Sequence, residues 1–292
     1  MLLKGADGLR ACVNFLLTVY VYSCYNKSIE YFRKGLLKMH DLAIKILSAE
    51  AGRTHIFAAG QAGFIIKTSE GKLIAVDLYL SECVERLEGH MGYKRMIPRV
   101  LNPDELEFDA VICTHPHWDH FDVDSVPSMM TNGRTRLYCS VDCEKLVKQT
   151  GMEYFNDNIT YVRPGDIVDE EGFALQFVNC DHGTGAPDAV GVVVIADGKR
   201  IYEAGDTCLR LDRINEIKLP LDVLIAPING AYGNMDSDDC AKLAEALRPG
   251  LTIPCHYGMF ASHGGDPGRF LELMKDAGLD TLIMTPGEKY TI

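Results

Sequence analysis

The sequence predicts an α/β fold in which two β-sheets pack face to face between outer helices, a four-layer αββα sandwich. Three observations support this prediction. Short apolar runs separated by turn residues dominate the chain from Leu42 to Val76, and helices are predicted to alternate with strands after Asp122. Histidine or aspartate residues follow several apolar runs, so we expect these strand ends to meet along one edge of the sandwich.

The first half of the main domain is predicted to be a meander of strands without an internal helix. Turn residues divide it at Ala51-Gly52, at Gly60 and at Glu70-Gly71-Lys72. The predicted strands are Leu42–Leu47, His55–Ala59, Phe64–Lys67 and Leu73–Val76. A further apolar run, Ala110–Cys113, predicts the strand that leads into the densest histidine motif of the chain.

The second half is predicted to alternate helices with strands. Its helices are Cys143–Thr150, Asp236–Leu247 and Pro267–Ala277, with Asp236 or Ser237 as one N-cap and Asp266 as another. Its strands are Arg136–Ser140, Ile159–Val162, Phe173–Val178, Gly191–Ala196, Ile201–Glu203, Val223–Ala226, Leu251–Pro254 and Thr281–Met284. The Asp197-Gly198 pair predicts a tight hairpin turn.

The segment Thr114-His115-Pro116-His117-Trp118-Asp119-His120 contains three of the nine histidines. Alternate residues of an extended segment point the same way, so His115 and His117 are expected to bind one metal ion together. Asp119 and His120 follow where the chain turns, and we expect them to reach a second ion nearby. Imidazole nitrogens and carboxylate oxygens suit zinc, manganese or iron. The alternative interpretation is a polar loop at a strand end, which requires this spacing to arise by chance.

Further ligands are expected at other strand exits, where His182, Asp206 and His256 each follow an apolar run. A single histidine after a strand is usually an ordinary polar residue, but together with the first motif these three predict metal ligands. We assign His115, His117 and His182 to the first ion and Asp119, His120 and His256 to the second. Asp206 is expected to bridge both.

This ligand set predicts two divalent ions per chain, Mn²⁺ or Zn²⁺. Two ions roughly 3.5–4 Å apart share a hydroxide, lower its pKa towards about 7 and hold the oxygen that is attacked. The residues therefore favour a metal-dependent hydrolase whose nucleophile is the bridging hydroxide. Asp119 is expected both to bind metal and to orient the nucleophile.

The order of these motifs resembles that of the metallo-β-lactamase superfamily. More narrowly, the chain resembles the branch that contains L-ascorbate-6-phosphate lactonase, from about Leu42 to the C-terminus. The motifs that carry the narrower resemblance are Gly60-Gln61-Ala62-Gly63-Phe64, Val76-Asp77-Leu78-Tyr79-Leu80-Ser81, Ala204-Gly205-Asp206-Thr207 and Ile253-Pro254-Cys255-His256-Tyr257-Gly258. The resemblance implies a metallo-β-lactamase type of αββα sandwich with two related lobes and a dinuclear site. The superfamily also contains thiol-ester hydrolases, phosphodiesterases, nucleases and flavin-dependent oxygen reductases, so the metal site alone names no substrate.

The residues around the ligands favour lactone hydrolysis, with a phosphorylated sugar lactone preferred. Ring opening gives an alkoxide that needs a proton, and we expect His263 or Tyr232 to supply it. No Lys or Arg lies within the ligand loops, whereas phosphodiester cleavage favours extra cations close by. Two alternatives stay open: a phosphodiesterase or phosphoesterase of the same fold, and a non-catalytic regulatory protein that binds metals for structure.

Substrate contacts are predicted at Asn229, Tyr257 and Arg95. Asn229 begins a loop rich in Gly and Asn, Tyr257 follows a proposed ligand, and Arg95 belongs to a small basic cluster that could pair with a phosphate. The competing interpretations are an ordinary turn at Asn229, a solvated basic face at Arg95 and, for His263, a surface loop.

Composition limits the class of partner. The formal net charge is −12, with 41 acidic and 29 basic residues, which argues against broad nucleic-acid binding and leaves a small-molecule substrate. The 10 cysteines include no Cys-x-x-Cys pair and fit a reducing cytoplasm. We expect a cytoplasmic protein that does not bind membranes, and a homo-oligomer stays open.

Residues 1–38 are interpreted as a helical N-terminal extension and residues 39–292 as the metallo-β-lactamase-like hydrolase domain. Asn26–Lys38 shows helical periodicity. Ala11–Tyr25 is nearly apolar but too short for a spanning helix, which needs about 20 residues, and a signal-peptide cleavage site is poorly matched. We expect this segment to dock on the domain or on a partner subunit, with a native start at Met39 as the alternative.

Overall fold

Two β-sheets form the centre of the computed structural model, which describes residues 39–292. The strands are β1 (His55–Gly60), β2 (Gly63–Lys67), β3 (Leu73–Val76), β4 (Ala110–Cys113), β5 (Arg136–Ser140), β6 (Ile159–Val162), β7 (Ile167–Glu170), β8 (Phe173–Asn179), β9 (Val190–Ala196), β10 (Lys199–Glu203), β11 (Val223–Pro227), β12 (Leu251–Cys255) and β13 (Lys289–Thr291). The seven-stranded sheet has the order β13-β1-β2-β3-β4-β5-β6, and the six-stranded sheet the order β12-β11-β10-β9-β8-β7.

Both sheets change from antiparallel to parallel pairing along their width. In the first sheet β1 pairs antiparallel with β13 and β2, β2 does so with β3, and β3 to β6 are parallel neighbours. In the second, β7 to β10 are antiparallel neighbours, and β10, β11 and β12 are parallel. Asp197 and Gly198 form the β9–β10 turn, both with positive φ, which suits a two-residue hairpin. The predicted hairpin is confirmed.

The helices lie in the connections and on the outer faces. They are α1 (Asp41–Ser48), α2 (Cys83–Glu88), α3 (Ser125–Met130), α4 (Glu144–Gln149), α5 (Ser237–Leu247) and α6 (Pro267–Asp276), with 3-10 turns at Gly89–Met91, Val141–Cys143, Met152–Asn158, Gly183–Gly185 and Leu211–Glu216. The Asp236 side chain caps α5 by accepting from the Asp239 N–H, and Asp266 caps α6 by accepting from the Arg269 N–H. Both predicted caps are confirmed.

The main core lies between the two sheets. Ile56 and Ile112 from the first sheet belong to one buried cluster with Phe177, Val192 and Ile225 from the second. Burial of this kind contributes roughly 25 cal/mol per Å² of apolar surface, so it is the main force that holds the sheets together.

Helices cover the outer faces. Leu224 in β11 packs with Ala244 of α5 and Phe270 of α6 on the far side of the second sheet. Outward-facing residues of the first sheet, such as Ile65, are also buried, as is Ile46 of α1. The predicted four-layer αββα sandwich is therefore confirmed.

Two strand predictions are wrong. Leu42–Leu47 lies in helix α1, where Leu42, Ala43 and Ile46 are buried on one face and Lys45 is exposed. A six-residue apolar run cannot be assigned by length or alternation alone, and here the buried positions follow the helical period.

Thr281–Met284 forms only an isolated bridge, between Thr281 and Thr252, and the last strand is Lys289–Thr291. The two short helices α2 and α3 and the strand β7 were not predicted.

The predicted helix Asn26–Lys38 and the apolar segment Ala11–Tyr25 lie outside the described residues. Within residues 39–292, no helix is long and apolar enough to cross a membrane.

Candidate metal centre

The proposed ligands lie where four strands end. His115 follows β4, His182 follows β8, Asp206 follows β10 and His256 follows β12. The two sheets are tied together at this edge, because the first residue of β9, Val190, donates its N–H to the carbonyl of Thr114. The sandwich therefore brings side chains that are distant in sequence to one place.

The first cluster contains three histidines and Asp206. The His115 Nε2 and His117 Nδ1 atoms are 2.9 Å apart, and His182 Nε2 is 3.0 Å from the same His117 nitrogen. Asp206 Oδ2 lies 3.9 Å from His182 Nε2. These four side chains offer ligand atoms that all lie within 4.8 Å of one another.

The second cluster contains His120, His256, Asp206 and Asp119. His120 Nε2 and His256 Nε2 are 3.1 Å apart, and Asp206 Oδ1 lies 3.4 Å from the first and 3.1 Å from the second. Asp119 Oδ2 is 3.3 Å from His256 Nε2 and 3.8 Å from His120 Nε2. Ligands about 2.0–2.1 Å from a tetrahedral zinc ion stand roughly 3.3 Å apart, and these spacings are close to that value.

Asp206 faces both clusters with different oxygens. Its Oδ2 atom is directed to His182, while Oδ1 is directed to His120 and His256. Although two imidazole nitrogens lie close to it, the buried Oδ1 atom accepts no hydrogen bond from the part of the chain that the structure describes. This arrangement is what a bridging carboxylate requires, and Asp206 remains our proposed bridge.

The donor atoms fit a pair of cations better than they fit each other. Three contacts between ring nitrogens measure 2.9 to 3.1 Å, and in each of them one nitrogen must carry a proton for an attractive interaction. A shared cation satisfies every lone pair at once. Burial lowers the pKa of His115 and His117, and lowers that of His182 to about 4, so these rings are neutral, the form that binds metal.

The two histidines of the second cluster have raised pKa values, in contrast to the lowered values of the first cluster. Burial alone would lower the pKa of His256, but the carboxylates of Asp206 and Asp119 outweigh it and raise the pKa to about 9. The pKa of His120 is also raised, because Asp206 and Asp77 outweigh burial. This part of the site therefore attracts positive charge, as a cation or as protons.

Neighbouring side chains orient the ligands. Asp77 Oδ2 lies 2.7 Å from His120 Nδ1 and accepts a 2.6 Å hydrogen bond from the Thr114 hydroxyl, which lies 3.0 Å from His115 Nδ1. Such outer partners fix ring orientation at metal sites. In the sequence analysis Asp77 appeared only as part of a motif. Its position directly after the buried strand Leu73–Val76, like that of the proposed ligands after their strands, could have indicated that it lies at the site.

A cleft with a cavity volume of about 590 Å³ opens over the clusters. Its lining includes the proposed ligands His117, Asp119, His182, Asp206 and His256. The two predicted proton donors, His263 and Tyr232, also line it. The His263 ring stacks on His256 with centroids 4.9 Å apart, and Tyr232 lies 5.5 Å from His263. The volume is in the range of a small-molecule site.

The structure does not bring the three predicted substrate contacts into this lining. Arg95 lies over the Tyr79 ring and donates to the carbonyls of Ile97, Tyr79 and Ser81, so its guanidinium supports a loop. Asn229 is buried and forms a backbone bridge with Asp236. Tyr257 packs at the edge of the cluster formed with α5 and α6. Asn229 and Tyr257 were proposed from their place in loops near the predicted ligands and Arg95 from its charge, and none of the three side chains lines the cleft.

Cysteines near the site are packing residues. Cys180 and Cys255 are buried, and burial raises the pKa of both thiols well above its ordinary value. Cys180 Sγ donates to the carbonyl of Asp206 at 3.0 Å.

Known proteins share both the sequence pattern and the fold. Residues 79–257 match the model of the beta-lactamase superfamily domain. A UPF0173 metal-dependent hydrolase of Aeropyrum pernix is 32% identical over 205 residues, which is 65% of this chain and 84% of that protein. A UPF0173 metal-dependent hydrolase of Polaromonas sp. is 27% identical over 263 residues, 82% of this chain and 89% of that protein.

Solved structures give the same fold. Igni18, described as a novel metallo hydrolase from Ignicoccus hospitalis, superimposes with a TM-score of 0.63 at 23% identity, covering 82% of this chain and 98% of that one. An isothiocyanate hydrolase from Delia radicum gut bacteria has a TM-score of 0.61 at 21% identity, with the same coverage. The chain therefore belongs to the metallo-β-lactamase superfamily, and within it to the UPF0173 metal-dependent hydrolases.

Proposed function

We propose that this protein is a lactonase that acts on a phosphorylated sugar lactone with two divalent cations at the clusters described above. The observation that carries the proposal is the composition of the cleft. It combines metal-binding side chains with the imidazole of His263, and among residues 39–292 its lining contains a single Lys or Arg, Lys145. Phosphoryl transfer favours several cations around the reacting group, and this lining does not supply them.

The cations, once bound, supply a nucleophile from water at neutral pH and polarise the attacked carbonyl. The residues that would hold them are His115, His117 and His182 on one side and Asp119, His120 and His256 on the other, with Asp206 facing both. Asp119 also has a second role, because its Oδ2 atom lies at the border of the second cluster and the cleft, where it can accept a proton from the attacking water.

His263 is the proposed hydrogen-bond donor to the alkoxide that forms when the ring opens, and the proton that this oxygen takes up is the one that Asp119 accepts from the attacking water. Burial and the neighbouring His256 lower the pKa of His263 to about 4, so the ring is neutral at pH 7 and still carries one N–H. Tyr232 lies beside His263 and is the second candidate. A single donor near one oxygen suits a lactone, in which charge develops on one carbonyl oxygen and then on one leaving oxygen.

Lys145 is the proposed partner of the substrate phosphate. It lies on α4 in the wall of the cleft, and its ammonium group has no ion pair within the described part of the chain. Arg95, which the sequence suggested for this role, is held by backbone carbonyls elsewhere. A point charge in the cleft wall can bind a remote phosphate without taking part in the reaction.

The motif resemblance to L-ascorbate-6-phosphate lactonase supports the lactone as substrate class. The relatives named as metal-dependent hydrolases support hydrolysis, but their names do not specify which type of bond is hydrolysed. The same metals could serve a phosphodiesterase, so the choice between the two rests on the cleft lining.

The test is a substrate panel with matched variants. Metal-free protein is reconstituted with Mn²⁺ or Zn²⁺ and assayed on neutral lactones, phosphorylated sugar lactones and bis(p-nitrophenyl) phosphate. We expect turnover of phosphorylated lactones that chelation abolishes. Lys145→Gln should raise KM for them about tenfold, equivalent to roughly 1.4 kcal/mol, without changing KM for neutral lactones.

Lys148→Gln is the matched control, because Lys148 lies on the same helix but pairs with Glu144 and does not line the cleft. Cleavage of the phosphodiester without turnover of any lactone would replace this proposal by the phosphodiesterase. A metal-loaded protein that hydrolyses none of the panel would favour the regulatory alternative.

A further inference from the structure

Gln61 is a buried side chain at the metal centre to which the sequence pattern alone assigned no role. It follows β1 in the tight turn before β2, with a positive φ of 56°. Its Nε2 atom lies 2.8 Å from Asp119 Oδ2, 3.0 Å from His263 Nδ1 and 3.2 Å from His256 Nε2. The amide nitrogen therefore stands among three side chains that could bind a metal.

Those three side chains form a candidate metal position of their own. Asp119, His256 and His263 offer ligand atoms within 4.8 Å of one another, as do His120, Asp206 and His256. We call the first set the outer position and the second the inner position. Because His256 Nε2 has a single lone pair in the ring plane, it can bind a cation in only one of the two.

The Gln61 amide favours the inner position. An amide N–H₂ donates hydrogen bonds and has no lone pair for a metal, so its nitrogen occupies the outer position without replacing a ligand. Gln61 is also fixed from the backbone, because its carbonyl accepts a 2.9 Å hydrogen bond from the His256 N–H. Side chain and main chain thus hold Gln61 against the residue that both positions share.

We propose that Gln61 is a positioning residue that excludes the second cation from the outer position and directs it to the inner one, beside Asp206. Asp206, which faces both clusters, would then be a ligand of both ions. It also leaves His263 outside the coordination shell. Since Gln61 donates to Nδ1 of His263, the imidazole proton resides on Nε2, which makes no hydrogen bond among the described residues and stays available to a substrate.

The inference uses the metal ligands proposed above and does not depend on the lactone as substrate, so its test measures metal binding alone. Metal-free protein is titrated with Co²⁺, and the dissociation constant of the second ion is followed by calorimetry and by visible absorption. The four proteins are the wild type, His263→Ala, Gln61→Ala and the double variant.

We expect His263→Ala to change the second dissociation constant less than twofold in the wild-type background, because His263 is not a ligand there. In the Gln61→Ala background the outer position is open. There, His263→Ala should weaken the second ion about tenfold or more and change the cobalt spectrum, as the loss of a metal ligand does.

Two results would overturn the proposal. A tenfold loss on His263→Ala in the wild-type background means that His263 is a ligand and that Gln61 moves aside. No effect of His263→Ala in either background means that the outer position does not bind metal. If Gln61→Ala fails to fold because alanine is strained at positive φ, Gln61→Asn serves instead, since asparagine tolerates that conformation and its shorter amide withdraws from the outer position.

Discussion

His120 and Asp77 form a fully buried pair in which His120 Nδ1 lies 2.7 Å from Asp77 Oδ2. The same aspartate accepts hydrogen bonds from the backbone N–H and the hydroxyl of Thr114, which contacts His115. One carboxylate therefore orients a proposed ligand of each cation, directly for His120 and through a hydroxyl for His115. Metal affinity at both clusters should depend on a residue that binds neither ion.

The first prediction concerns Asp77→Asn. The amide has one acceptor oxygen where the carboxylate has two, so an Asn that accepts from His120 and the Thr114 hydroxyl turns its NH₂ group towards the Thr114 N–H, which Asp77 Oδ1 now accepts. The negative charge beside His120 is also lost, so both rings lose part of their orientation. We expect affinity for both ions to fall by about 10–100-fold, as at other metal sites whose outer partner is replaced. Calorimetric metal titration measures this, and Asp124→Asn is the control because its exposed carboxylate pairs with Arg86. Equal affinities for the two variants would contradict the prediction.

The second prediction concerns Asp119→Asn. Asp119 Oδ2 contacts both His256 and Gln61, and an amide there keeps the shape while it removes the charge. Because this charge acts most strongly in the transition state, kcat should fall at least about tenfold more than KM changes. Steady-state kinetics on the preferred substrate, with saturating metal, checks this. An unchanged kcat would remove Asp119 from the reaction.

The sequence predicted most of the fold because most strands alternate or are continuously apolar and end in turn residues. The prediction failed where an apolar run was too short to distinguish the helical period of about 3.6 residues from the strand period of 2. Leu42–Leu47 is helical because tertiary packing buries one helical face, and Thr281–Met284 is apolar without a partner strand over its full length. Pairing is a property of the neighbouring chain and cannot be seen in the segment itself.

In the candidate site, too, the sequence revealed what depends on a local pattern and missed what depends on contacts between distant residues. Each proposed ligand follows an apolar run, and the structure brings all of them together, so the local pattern was sufficient to predict which side chains meet; their role as metal ligands stays a prediction. Gln61 and Asp77 were missed because they lie in ordinary-looking turns and act only through contacts with residues more than 35 positions away. Arg95 was misplaced for the opposite reason, since its charge suggested a ligand while its contacts are with nearby carbonyls.

The third prediction concerns the domain boundary that we propose between residues 38 and 39. A chain that starts at Met39 should be soluble and should bind metal with wild-type affinity, because both sheets and all the proposed ligands lie in Asp41–Ile292. Circular dichroism, thermal unfolding and metal titration check this. Aggregation of the shortened chain, or loss of its metal, would show that the first 38 residues belong to the folded domain.

Glu203 is a buried acid behind the metal centre. It ends β10, and neither of its carboxyl oxygens has a hydrogen-bond partner within residues 39–292. Burial, reinforced by the nearby charge of Asp77, raises its pKa well above the ordinary value. The side chain is therefore neutral in the folded protein under conditions in which the unfolded chain ionises it.

The fourth prediction follows from that difference. At pH values above about 4.3, the ordinary value for glutamate, the folded state keeps a proton that the unfolded state has lost. Its stability therefore falls as pH rises, by at most about 1.4 kcal/mol per pH unit from this one group. Glu203→Gln removes the proton uptake, so the free energy of unfolding of the metal-free variant should rise relative to that of the wild type as the pH is raised from 5 towards 8, until the pH reaches the raised pKa of Glu203. Urea unfolding at four pH values measures the gain, with the exposed Glu171→Gln as the control for the loss of one carboxylate. A difference between Glu203→Gln and wild type that stays constant across this range would show that Glu203 ionises alike in both states.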